Sequence, residues 1–173
     1  MDFLLEIIKI IVPAVIVFIT AFYLVKFFLD NETKKRAMEL KANSQNLITP
    51  LRLQAYERII LFLERISPAS LVTRVSRQGI TSSAMQLELI KTIKAEFEHN
   101  LAQQIYLSTP AWGMIRNAKE EIIKLINISA SQLDSRASGT DLAQKIIELS
   151  GQVQKMPTQV AIDFIKKEIS QNF

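Results

Sequence analysis

The chain has 173 residues, a net charge of +4, one histidine and no cysteine. Disulfide scaffolds, thiolate ligation and cysteine nucleophiles are therefore excluded, as is any mechanism needing two histidines in one chain. Four glycines and five prolines are too few for an all-β chain with many tight turns, and no segment sustains strand alternation.

The first element is "IIKIIVPAVIVFITAFYLVKFFLD", residues 7 to 30, in which sixteen consecutive residues between Lys9 and Lys26 carry no charge. A helix from Phe3 to Leu29, at about 1.5 Å per residue, is about 40 Å long and covers a hydrocarbon core of about 30 Å. The start "MDFLLE" is acidic and no small-x-small cleavage site follows the run, which argues against a secretory signal. Residues 1–29 are thus expected to form a single transmembrane anchor. Lys26, Lys34, Lys35, Arg36 and Lys41 follow the run and only Lys9 lies at its start. The positive-inside bias then places the protein in the cytoplasmic (inner) membrane, N-terminus outside and C-terminal domain in the cytoplasm.

Residues 30–49 are polar on nearly every face and pair Glu32 with Arg36 at i, i+4, which predicts a solvated juxtamembrane helical stalk. Lys34, Lys35, Arg36 and Lys41 have two readings there, contact with anionic lipid or enforcement of topology. Residues 50–173 form the soluble α-helical domain. Pro50 is expected to end the stalk and open "LRLQAYERIILFLERI", and Ser67 with Pro68 starts a short helix through Val75. After the break at Gly79, a helix from about Thr81 places Ile90, Ile93, Phe97, Leu101 and Ile105 on one stripe, with Ser83 and Gln86 as a capping box. Thr109 and Pro110 restart the pattern, with Ile115, Ala118, Ile122 and Leu125 in the core. A break at Ser138, Gly139 and Thr140 precedes two helices, about Asp141 to Val153 and Pro157 to Gln171. The fold class is all-α: a transmembrane helix, a stalk and an irregular antiparallel helical bundle.

The stretches "LRLQAYERIILFLERISP", "EFEHNLAQQIY", "NAKEEIIKLIN" and "PTQVAIDFIKKE" together resemble a family of small bacterial membrane proteins. Its members have one N-terminal transmembrane helix, a helical cytoplasmic domain and no assigned activity. The resemblance implies topology and fold, and no cofactor, substrate or site residue.

Glu96 and His99 make Glu-x-x-His on a helix, the spacing that di-metal carboxylate sites use to aim two ligands inward. Such a site needs a second copy of the motif, and His99 lies about 200° around the helix from Phe97, away from the core stripe. A surface histidine is the reading adopted, with no cofactor expected. Glu57, Glu64, Glu96 and Glu98 are the other carboxylates that a helical pocket would have to gather. No Gly-rich phosphate loop or G-x-S-x-G is present, and the basic excess is confined to residues 34–77, with nine Lys and Arg against three Glu. Without a broad basic face and stacking aromatics, nucleic acid is not an expected partner.

On the helix after Pro50, Leu51, Leu53, Ala55, Tyr56, Ile59, Ile60, Phe62, Leu63 and Ile66 cover an arc of about 200°, which predicts a central place in the bundle. Opposite that arc, Leu61 is ringed at i±3 and i±4 by Glu57, Arg58, Glu64 and Arg65. An apolar residue framed by both charge signs suits a small self-complementary contact, with a protein partner or a homo-oligomer. Trp112, just inside a helix start, is expected to plug the end of the core. The function expected is a membrane-anchored, non-enzymatic helical interaction or scaffold module; the alternative is an enzyme or ligand-binding protein whose helical pocket holds carboxylates, including a Glu96/His99 metal site.

Overall fold

The computed structural model describes residues 2–172, with side chains described for residues 11, 15–36, 38–40 and 47–171. Among the described residues, six α-helices and one 3₁₀-helix make up the fold: α1 (Asp2–Arg65), α2 (Pro68–Val75), α3 (Ser82–Asn100), the 3₁₀-helix (Leu101–Tyr106), α4 (Thr109–Ser131), α5 (Gly139–Gln152) and α6 (Pro157–Asn172). The chain divides into two compact units, Met1–Thr49 and Pro50–Phe173.

In the first unit the apolar run is helical, as expected, but the transmembrane anchor is not upheld. Among the described residues no helix is long and apolar enough to cross a membrane. The uncharged stretch with described side chains runs from Val15 to Val25, eleven residues. It covers about 16 Å, half of a hydrocarbon core, before Lys26, Asp30 and Glu32 intervene. The part of the expected span before Val15, including Pro13, lies outside the described side chains apart from Ile11. The finding overturns the integral membrane contact, the inner-membrane placement and the outside-to-cytoplasm orientation together. The expected stop at Pro50 is also corrected, because α1 continues through it as one helix.

The second unit is built on the face of α1 that carries Ala55, Tyr56, Ile59, Phe62, Leu63 and Ile66, each no more than 1% exposed. These positions repeat at three and four residues and so fall on one side of a helix. They meet Leu71 and Val75 of α2, Met85, Leu89 and Ile93 of α3, Ile115, Ile122 and Ile126 of α4, Leu142 and Ile146 of α5, and Ile162 and Ile165 of α6. The arc on α1 is narrower than predicted, since Leu51 and Leu53 are exposed.

The stripe expected on α3 is corrected at both ends. Thr81, not a Ser83/Gln86 box, caps the helix, its hydroxyl accepting from the Ala84 N–H at 3.2 Å. At the other end the α-helix gives way at Leu101 to a 3₁₀-helix of about three residues per turn, so a stripe drawn at 3.6 drifts off the core. Leu101 and Ile105 are consequently exposed, Ile105 by 74%.

Two loops are stitched together where the sequence predicts breaks. The Gly139 N–H donates to the Ile80 carbonyl at 2.8 Å, and the Ser82 N–H donates to that of Ala137 at 3.0 Å. A Cβ on Gly139 would lie 2.4 Å from Ile80 Cγ2, so this approach needs glycine. Ser138 caps α5 in a reciprocal box with Asp141, whose carboxyl is held below the usual range by the hydrogen bonds from the Ser138 hydroxyl and N–H.

Candidate functional site

The exposed face of α1 in the second unit carries Leu61, 54% exposed, with Glu57, Arg58, Glu64 and Arg65 exposed around it. At about 100° per residue, Glu57 and Glu64 fall about 40° and 60° to one side of Leu61, and Arg65 and Arg58 about 40° and 60° to the other. The strip therefore has an apolar centre, an acidic edge and a basic edge. Among the described residues, the side chains of Glu57, Arg58 and Glu64 form no ion pair or hydrogen bond.

The basic edge borders α3. A depression of about 170 Å³ is lined by Arg58, Leu61 and Arg65 from α1 and by Glu96, His99 and Asn100 from α3. A wider one of about 500 Å³ adds Glu88 and Lys91. Two groups that the sequence offers for separate reasons, the Leu61 ring and the Glu96/His99 pair, thus share one surface. Glu57 and Glu64 line neither depression.

Glu96 already has partners. Its Oε1 accepts Arg65 Nη2 at 2.8 Å and Arg74 Nη2 at 3.3 Å, and its side chain is 17% exposed. A carboxylate shared by two guanidinium groups is a poor metal ligand, because its lone pairs and charge are taken. Among the described residues no group of three or more His, Asp and Glu is placed to hold a metal ion. His99 is exposed, away from the core. Lys34, Lys35 and Arg36 are exposed in the first unit, where Arg36 Nε pairs with Glu32 Oε1 at 3.3 Å; the Lys41 side chain lies outside the described residues. Trp112 is half-buried and stacks on Phe97 with ring centroids 5.4 Å apart, and Lys119 Nζ sits 4.4 Å from the Phe97 centroid.

A second polar cluster is not evident from the sequence. The Tyr56 hydroxyl donates to Glu168 Oε1 at 2.5 Å, and the Ser108 hydroxyl donates to Glu168 Oε2. Arg52 Nε donates to the Tyr106 carbonyl at 3.3 Å and Arg52 Nη2 to the Tyr56 hydroxyl at 3.5 Å. Burial first, and then the Glu168 carboxylate, push the Tyr56 phenol above its ordinary range. Burial pushes Glu168 up, but the hydrogen bonds from Ser108 and Tyr56, with Arg52 nearby, more than offset it and hold the carboxyl below its usual range. The cluster ties α6 to α1 and to the cap of α4, with its hydrogen-bonding groups directed at one another. The signal available in sequence is the tyrosine itself: a phenol on a buried face needs a polar partner.

A family model matches this chain over residues 2–172. The chain belongs to DUF7935, a family of unknown function. No curated protein and no solved structure matches it. For this DUF7935 chain the match bears out the family of unassigned activity that the sequence resembles, and it establishes neither a bacterial source nor a membrane location. The α1–α3 surface is what the geometry offers for a role: an apolar centre, three charges on α1 (Glu57, Arg58 and Glu64) without a partner among the described residues, and a shallow basic border.

Proposed function

We propose that the chain is a non-enzymatic helical interaction module that binds a protein surface through the α1 strip centred on Leu61. The partner chemistry follows from the strip: an apolar side chain to cover Leu61, a basic group for the Glu57/Glu64 edge and an acidic group for the Arg58/Arg65 edge. The observation that carries this reading is the 54% exposure of Leu61 between charges that, Arg65 apart, have no partner of their own among the described residues. Covering the exposed half of such a leucine contributes about 1–1.5 kcal/mol, and the flanking charges add orientation and selectivity more than affinity. The enzymatic alternative finds little support, since Glu96 is engaged by two arginines and stands beside the chain's one histidine.

The test compares the purified full-length chain with Leu61→Lys, by light scattering for mass and mass spectrometry for what co-purifies. The expected result is a complex formed by the natural chain and dispersed by Leu61→Lys, with an unchanged thermal melt by circular dichroism. The reading fails if both proteins give the same complex, if both are monomers without a partner, or if the substitution melts the domain.

A further inference from the structure

The arrangement of charge along the strip also selects its occupant. Resting on the interaction reading above, we propose that the surface covering Leu61 is a second copy of this chain, docked with its α1 parallel to the first.

Two copies of one helix face can pair about a twofold axis that runs along the helices or across them. An axis along the helices gives a parallel pair, and each edge then meets the opposite edge of the other copy. Glu57 lies against the second copy's Arg58, and Glu64 against the second copy's Arg65; symmetry repeats both contacts. An axis across the helices gives an antiparallel pair in which each edge meets itself, Glu57 against Glu64 and Arg58 against Arg65. The first arrangement makes four attractive contacts and the second makes like-charge contacts at the same places, which is the way flanking charges set orientation in coiled coils.

The structure prepares the basic edge for this visitor. A carboxylate arriving from the second copy's Glu57 or Glu64 meets the depression lined by Arg58, Arg65, His99 and Asn100. The carboxylate already there, Glu96, is shared by Arg74, so it stays neutralised while Arg65 turns remaining donors toward the newcomer. Arg65 is 56% exposed and can reach both groups.

Single cysteines test the orientation, because the chain has none of its own. Gln54 is exposed and lies seven residues before Leu61, about 20° around the helix from it. In the parallel pair Gln54→Cys brings its thiol against its own copy and forms an intermolecular disulfide under a mild oxidant. In the antiparallel pair the two thiols are about 21 Å apart and cannot join. Leu61→Cys links either pair. The charge pairing is tested in the Gln54→Cys chain: Arg58→Glu should slow the crosslink about tenfold, through lost ion pairs and new repulsion. The added swap Glu57→Arg should restore it. Neither residue has a partner within the described chain, so both changes leave the fold intact.

A crosslink in the Leu61→Cys chain without one in the Gln54→Cys chain overturns the parallel copy and leaves the interaction reading standing. A crosslink in the Gln54→Cys chain that ignores Arg58→Glu overturns the proposal too, since the contact then forms elsewhere. If neither variant links, the occupant is not a second copy, and the Leu61→Lys comparison decides separately whether another protein binds the strip.

Discussion

Arg65, the last residue of α1, holds Glu96 of α3 at 2.8 Å, and Arg74 of α2 holds the same oxygen at 3.3 Å. One carboxylate therefore joins three helices at the rim of the proposed contact surface. Exposed ion pairs contribute about 0–1 kcal/mol each, and Arg65 is more than half exposed, so the sum is small. Glu96→Ala is expected to lower stability by about 1 kcal/mol, read as a shift of the urea midpoint. The difference should shrink in molar salt, which screens partly exposed pairs. A double-mutant cycle with Arg74→Ala checks the coupling, and full additivity would show that the two side chains act independently.

The Tyr56–Glu168 hydrogen bond should matter more, because the phenol is buried. Tyr56→Phe removes one donor to a carboxylate and is expected to cost about 1.5–3 kcal/mol in urea denaturation. The pH dependence has a definite sign on each side. Glu168 titrates below its ordinary 4.5 in the folded chain, so its contribution is present above that value and is lost as pH falls through the folded pKa. Tyr56 titrates above its ordinary 10.0, so its contribution is full below that value and is lost as pH rises beyond it. Tyr56→Phe should therefore flatten the alkaline loss, and Glu168→Gln the acid loss. Equal slopes in natural and substituted chains would show that the cluster does not titrate with folding.

Glycines offer a contrast of opposite sign. Gly139→Ala places a methyl 2.4 Å from Ile80 Cγ2 and 3.2 Å from Met85 Sδ, in a loop pairing with no slack. Overpacking of this kind costs about 1–3 kcal/mol. Gly113, inside α4, has nothing within 4 Å of its would-be Cβ, so Gly113→Ala should stabilise by about 0.5–1 kcal/mol through backbone entropy. Thermal melts of the two variants on either side of the natural chain would confirm both.

The all-α class, the breaks near Gly79 and Ser138, and the buried face of α1 from Ala55 to Ile66 were legible because each rests on periodicity or on a local residue preference. Pro50 was misleading: α1 continues through it among largely exposed neighbours, so the lost donor did not end the helix. The membrane anchor was read from an apolar run counted as a whole, whereas the described part of that run stops at Lys26 after eleven uncharged residues. Leu61 and its four charged neighbours were legible as a ring, since i±3 and i±4 spacing is local. That α3 borders the ring, and that Glu96 is tied to Arg65 and Arg74, depends on which helices become neighbours. Nothing in the spacing of one helix encodes that.

The end of α3 shows where periodic reading stops, and it gives a direct test of the fold. The stripe drawn from Ile93 through Phe97 and Leu101 counts Ile105 into the core, although at 3.6 residues per turn it has already drifted about 120° around the helix from Ile93. The change to a 3₁₀-helix at Leu101 turns Ile105 outward to 74% exposure while Ile93 stays fully buried. Removing the Ile93 side chain leaves a cavity among packed neighbours, and Ile93→Ala is expected to cost about 2–5 kcal/mol. Ile105→Gln alters surface away from the core and should move stability by no more than about 0.5 kcal/mol. Urea midpoints distinguish the two arrangements cleanly: comparable losses at both positions would mean that Ile105 packs in the core and that the chain after Asn100 takes a different course.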